Sequence, residues 1–251
     1  MLESPFDRPD LYDLLFEDLD FDLACWNRFV HEGEGPALEV ACGSGRILVR
    51  LLYAGFDVDG IDNSAPMLRH ARAKIARLGY HANLMHAGMK DFALPRRYHR
   101  IFCAFNSFAH NLTAADQIAT LQRCREHLAP GGIFGLHLSF PRPELWTGPC
   151  ERVLEREVPN PTGEGSLRIY DNRILDPVQQ SQTSVMEIEE VAADGTVRAT
   201  QRSQTEVRWV YKNELELLLE RAGFGSVMIH GDFERGPLTA SSDTMLAFAS
   251  A

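Results

Sequence analysis

The chain has 251 residues, 45% of them apolar and 24% charged, enough to bury the sizeable core of a globular protein. Its formal net charge of −10 argues against a nucleic-acid partner, because a polyanion would be repelled. No apolar run approaches the roughly 18 residues of a membrane span, and the N-terminus is acidic rather than a basic signal sequence, so a cytoplasmic protein with no membrane partner is expected.

Residues 10–31 predict one helix, with Leu11, Leu14, Leu15, Leu19, Leu23, Trp26 and Phe29 at helical intervals. A strand follows at Ala37–Ala41, then a Gly-rich turn and a helix that ends at Gly55. A second strand at Asp57–Ile61 leads to Ser64, an expected N-cap with Pro66 in the first turn of a helix that Gly79 stops. Strands are predicted at Asn83–His86 and Ile101–Phe105, a helix at 115–128 and a fifth strand at Ile133–Leu138, beyond Pro130, Gly131 and Gly132. Such alternation implies parallel βαβ units in a doubly wound α/β sheet. Residues 150–210 instead alternate with period two around an Asp194-Gly195 turn, the pattern of an antiparallel meander. Its acidic stretch Glu187–Glu190 is expected on an exposed strand face. A helix at Asn213–Ala222 and strands at Ser226–His230 and Thr244–Phe248 then complete the sheet. The five cysteines are odd in number and scattered, as expected of reduced structural thiols; Cys42, in the Gly turn, reads as a small residue suited to a crowded bend.

The turn after the first strand, Ala41-Cys42-Gly43-Ser44-Gly45, offers backbone N–H groups at the mouth of the sheet. Asp62, 19 residues after Gly43, ends the second strand, where a carboxylate reaches the hydroxyls of a ribose. A dinucleotide site wants GxGxxG; Ala41 replaces one glycine and Leu48 stands at the third position counted from Gly43, which serves a pyrophosphate poorly. S-adenosyl-L-methionine carries no phosphate. It needs an acid near its ammonium, a cation near its carboxylate and a ribose acid, a set that Glu39, Arg46, Asp62 and the turn carbonyls supply.

These pieces, with LYDLLF at 11–16, LEVACGSGR at 38–46, GIDNSAPML at 60–68, MKDF at 89–92, FNSFAHNL at 105–112, HLAPGGIFGLHL at 127–138 and ELELLLERAGF at 214–224, resemble the class I S-adenosylmethionine-dependent methyltransferases. The resemblance is strongest to bacterial enzymes that methylate nitrogen or oxygen of small molecules. It implies a Rossmann-like seven-stranded sheet with an antiparallel β lid after strand five: core over 1–139, acceptor lid over 140–211, core completed by 212–251. It implies that Glu39, Ala41 and Gly43 form the methionine-end pocket with Arg46 facing the carboxylate, and that Asp62 holds the ribose. Asn63, Met67, Met89 and Lys90 would border the adenine, with Phe105 and Asn106 beside the sulfonium and Tyr12 covering the cofactor. Tyr12 and His110 are the implied catalytic residues; no metal is implied.

Two positions depart from the family pattern. The usual first turn glycine is Ala41, which a methyl group tolerates at negative φ. Gly88 stands where many relatives carry an aspartate on the adenine amino group, so that recognition falls to the backbone near Met89 and to Asp91, at a cost of about 1–2 kcal/mol for one lost hydrogen bond. The expected reaction is in-line methyl transfer to a small-molecule acceptor, by a monomer or homodimer. Other chemistry on the same cofactor, and non-catalytic cofactor binding, remain open alternatives at this level.

Overall fold

The structure is a computed structural model that describes residues 4–142, 148, 150–161 and 163–251. The chain forms two compact units, one of Phe6–Arg142 with Trp209–Ala251 and the other of Met1–Pro5 with Pro143–Arg208. Part of the insertion expected over 140–211, namely 143–147, 149 and 162, lies outside the described residues.

The larger unit opens with helices α1 (Pro9–Phe16) and α2 (Leu23–His31), followed by β1 (Ala37–Val40), α3 (Arg46–Tyr53), β2 (Val58–Asp62), α4 (Ala65–Arg77) and β3 (Leu84–His86). β4 (Tyr98–Cys103), α5 (Ala114–His127) and β5 (Leu128–Ser139) follow, and α6 (Lys212–Arg221), β10 (Ser226–His230) and β11 (Thr244–Ser250) complete it. Its seven strands lie in the order β10-β11-β5-β4-β1-β2-β3. All run parallel except β11, which is antiparallel to both β5 and β10. Strand order reverses between β1 and β4, which opens a crevice at their carboxyl ends, where ligands bind open α/β sheets.

The single helix expected over 10–31 is broken. Residues 17–22 leave the helical path because the Leu19 carbonyl and the Asp22 carboxylate both accept hydrogen bonds from Arg46. β5 starts earlier than expected, at Leu128, and takes in Pro130-Gly131-Gly132, with Gly131 at φ 74°. Ser64 caps α4 as predicted, its hydroxyl accepting from the Met67 N–H at 3.2 Å.

The core between α2 and the sheet is aromatic. Trp26 stacks on Phe102 with centroids 4.9 Å apart, and Phe29 on Phe248 at 5.1 Å. A side chain at Gly135 of β5 would begin 3.0 Å from the Trp26 ring, so glycine there lets α2 lie close to the sheet.

The smaller unit is an antiparallel sheet of β6 (Val153–Pro159), β7 (Ser166–Asp176), β8 (Ser181–Val191) and β9 (Val197–Arg208), in that order. The reading of 187–190 as an exposed acidic face is corrected: Glu187 and Glu189 are buried. Arg152 pairs with both, Arg202 pairs with Glu187 at 2.7 Å, and the Arg152 guanidinium lies 4.1 Å from the centroid of the Tyr170 ring. Arginines from β9 and from just before β6 thus neutralise acids that composition alone sends to solvent.

Candidate functional site

β1 delivers the Gly turn to the crevice. Ala41 sits at φ 59°, Gly43 at 55° and Gly45 at 85°. The expectation of negative φ at Ala41 is therefore overturned. The chain must double back within five residues to start α3, and it does so through left-handed backbone that costs an alanine about 1–2 kcal/mol. Cys42 is buried against Gly60 of β2, and burial holds its thiol well above the ordinary range, which makes it inert packing.

Asp62 ends β2 with both oxygens engaged. Oδ2 accepts from the Gly43 N–H at 2.8 Å and Oδ1 from the Ser64 N–H at 2.7 Å. The carboxylate ties the turn after β1 to the N-terminus of α4, and each oxygen keeps a lone pair for a ligand hydroxyl. Burial pushes its pKa up, partly offset by the two N–H donors.

Glu39, on β1, is 4% exposed and its Oε2 has no partner among the described residues. Burial raises this carboxyl well above the usual range, with the Arg46 charge opposing. An unpartnered carboxylate oxygen beneath the turn is chemically suited to an ammonium group. Arg46 opens α3. It forks onto the fully buried Asp22 through two bonds of 2.7 Å, and its Nη1 also donates to the Leu19 carbonyl at 2.8 Å.

Aromatic side chains line the crevice from α1 to β4. Phe6 lies 6.1 Å from Tyr12, Tyr12 lies 4.8 Å from Phe16, and Phe16 lies 5.5 Å from Phe105. Burial raises the Tyr12 hydroxyl pKa, and the charges of Arg46, Asp62 and Glu39 all act on it. His110 packs edge-on against Phe6 at 5.4 Å and its charge acts on Asp62. Phe105 and Asn106 both have positive φ, 52° and 60°, and the Asn106 Oδ1 accepts from the Ser139 N–H at 3.0 Å, linking the ends of β4 and β5. His137 of β5 is buried, which lowers its pKa to about 4, so the ring is neutral at ordinary pH.

The structure thus brings Tyr12, Glu39, Ala41, Gly43, Arg46, Asp62, Phe105 and His110 to one edge of the sheet. Met67 is fully buried under the α4 cap, and Met89 lies with its sulfur 3.9 Å from Asn111 Nδ2. Asn63 is exposed, its carbonyl 2.9 Å from His86 Nε2. Lys90 is drawn away toward α5, where it pairs with Asp116 at 2.8 Å. A Cβ on Gly88 would stand 2.9 Å from an Asp91 oxygen, so the Asp91 carboxylate fills the space beside that glycine. Sequence reasoning missed Asp22, Phe6, Phe16 and Phe21. The run Phe16–Asp22 carried the signal, since its acids interrupt an otherwise apolar helical stripe.

An α/β sheet with a Gly turn and a following strand-end aspartate at its switch point defines a nucleoside-binding class of protein. Comparison with known proteins narrows this. Residues 37–132 match the family described as methyltransferase domain. The chain is 35% identical over 131 residues to the dTDP-3-amino-3,6-dideoxy-alpha-D-glucopyranose N,N-dimethyltransferase of Streptomyces fradiae, covering 49% of this chain and 50% of that one. It is 35% identical over 103 residues to the glycine/sarcosine N-methyltransferase of Halorhodospira halochloris, covering 40% and 38%. It thus spans half or less of the length of these two relatives. The CcbJ methyltransferase of Streptomyces caelestis shares the fold with a TM-score of 0.80 at 25% identity, over 100% of this chain and 99% of that one. Residues 37–132 thus match a methyltransferase domain, and the chain is similar to S-adenosylmethionine-dependent methyltransferases. No helix among the described residues is long and apolar enough to cross a membrane.

Proposed function

We propose that the protein transfers a methyl group from S-adenosyl-L-methionine to an amine nitrogen of a small molecule, with amino sugars as the favoured acceptor class. The observation that carries this reading is the pairing of Glu39, with its unpartnered buried oxygen, and Asp62 at the ends of adjacent strands. One acid suits an ammonium and the other a ribose diol. Both relatives named above act on nitrogen, which favours N- over O-transfer.

When bound, the cofactor supplies a methyl group already activated on a sulfonium for in-line displacement. The chain's own residues then bind, orient and exclude water. Glu39 and Asp62 hold the two ends, and the tilted rings of Tyr12, Phe16 and Phe105 favour a cation through their π faces, by about 0.5–2 kcal/mol. Holding two reactants in line supplies much of the rate enhancement, and a base is needed only when the amine arrives protonated. His110 is the candidate base. We assign residues 140–211 as the acceptor lid between the core segments 1–139 and 212–251. The reading includes a cytoplasmic monomer or homodimer that does not act on nucleic acid.

Calorimetry with S-adenosylhomocysteine, followed by turnover on a panel of amino sugars, tests the assignment. Binding, and formation of that thioether alongside an N-methylated product, is the expected result. Turnover with no methylated product would overturn it. Asp62→Ala should weaken binding about tenfold or more, as loss of a charge-assisted bond to a diol implies.

A further inference from the structure

We propose that Asp22 is a positioning residue: it aims the Arg46 guanidinium at the carboxylate of the cofactor's amino-acid end. This rests on the methyltransferase reading and names a group that the Gly turn itself does not contain.

The geometry has three parts. Arg46 is the first residue of α3, directly after the turn that ends at Gly45, so its backbone is fixed by the turn. Its side chain is then fixed at the far end. Nη1 and Nη2 fork onto the two oxygens of Asp22, and Nη1 donates a second time, to the Leu19 carbonyl. The guanidinium carbon lies 4.8 Å from the Phe105 ring centroid and 5.9 Å from that of Phe21.

A guanidinium carries five N–H donors. Among the described residues three are engaged, which leaves the Nε hydrogen and one on Nη2. The Arg46 charge acts on both Glu39 and Tyr12, so it borders the crevice. Glu39 has an unpartnered oxygen there and Arg46 has donors to spare: opposite charges suited to the ammonium and carboxylate of one α-amino acid.

Asp22 makes this arrangement possible in two ways. A guanidinium 6% exposed needs a counter-charge to stay buried when no ligand is bound, and Asp22, 0% exposed, supplies it. A bidentate fork also fixes the plane of the group, which a single hydrogen bond does not. Asp22 is the N-cap residue of α2, yet its side chain makes no capping bond because Arg46 holds it. The helix forgoes its side-chain cap, as befits a carboxylate that serves the site.

The test measures binding of two probes by calorimetry: S-adenosylhomocysteine, and its decarboxylated form, which keeps the nucleoside and the amine. The parent protein should prefer the first by about tenfold or more, the scale of a charge-assisted bond. Asp22→Asn should erase most of that preference, weakening S-adenosylhomocysteine about tenfold while leaving the decarboxylated probe within about twofold. Asp22→Glu keeps the charge with a longer arm and should show the same selective loss, to a smaller extent, so it decides the matter where Asp22→Asn does not fold. A purely structural Asp22 would weaken both probes together, or neither, and either result overturns the proposal. So does a parent protein that binds both probes alike. A parent that binds neither overturns the methyltransferase reading as well.

Discussion

At the scale of single residues, the site is built from groups placed at a cost to the fold. Burial keeps Glu39 and Asp62 above their ordinary pKa values, so each holds its proton to higher pH in the folded protein than in the unfolded one. Stability from these groups is present below about pH 4 and declines as pH rises through their raised folded values. An ammonium at Glu39 reverses the preference, because it favours the ionised carboxylate. Cofactor binding should therefore release a proton in the window above pH 4.5, with affinity falling as pH drops into it. Calorimetry in buffers of different ionisation enthalpy reads this directly; a binding heat independent of buffer across that window would refute the role of Glu39. Ala41 is the second such residue. Ala41→Gly should stabilise the protein by about 0.5–1 kcal/mol in chemical denaturation, the relief of left-handed strain less the entropy of glycine. Asp62 was legible in the sequence because its distance from the Gly turn is a chemical signature. The backbone angle at Ala41 was not, since it depends on how abruptly β1 must give way to α3, and Asp22 was not, since its partner lies 24 residues away.

At the scale of elements, α1, the helix that carries Tyr12, is held from the side. The Asp13 carboxylate of α1 meets His70 Nε2 at 2.7 Å and Lys74 Nζ at 3.1 Å on α4, and Lys74 also pairs with Glu17 at 2.7 Å. The Ser64 hydroxyl donates to the Phe6 carbonyl at 2.8 Å, just ahead of α1. Among the described residues of α1 only Leu15 is buried, so apolar packing alone holds it weakly. Lys74 serves two acids and its side chain is 11% exposed, which places the pair above the usual surface value. Lys74→Ala should cost about 1–2 kcal/mol locally, seen as faster amide exchange over Pro9–Phe16 with β1 and β4 unchanged. Equal exchange in both proteins would show that the aromatic contacts of Tyr12 and Phe16 suffice. Helix periodicity revealed the apolar stripe through residues 10–31 but not its division, because a stripe carries no information about a hydrogen-bond demand made by a distant arginine. The strand boundaries, set by turn residues next to them in sequence, were read to within a few residues apart from the early start of β5.

For the whole molecule, the two units respond to acid in opposite directions. In the larger one, the site carboxyls Glu39 and Asp62 are raised, and lowering the pH relieves the burden of burying them. The smaller one depends on ionised acids. The Arg202 and Arg152 guanidiniums hold Glu187 below the usual range. A lowered folded pKa contributes stability that is present above about pH 4.5 and lost as pH falls through the folded value. The larger unit also has lowered acids, Asp10, Glu32 and Asp116, but those pairs lie near the surface, where screening leaves them little weight. Its buried aromatic layer of Trp26, Phe29, Phe102 and Phe248 is indifferent to protons. Glu187, by contrast, lies among buried positions of β8, where neutralising it removes the Arg202 pair and one of the two carboxylates that hold Arg152. Taking amide exchange from neutral pH down to about pH 3.5, with protection corrected for intrinsic rate, should therefore show β7, β8 and β9 losing protection first while β1, β4 and β5 keep theirs. Loss of protection in the parallel strands before the antiparallel ones would mean that the Glu187 pairs contribute little and that the acid sensitivity of the protein lies in its core.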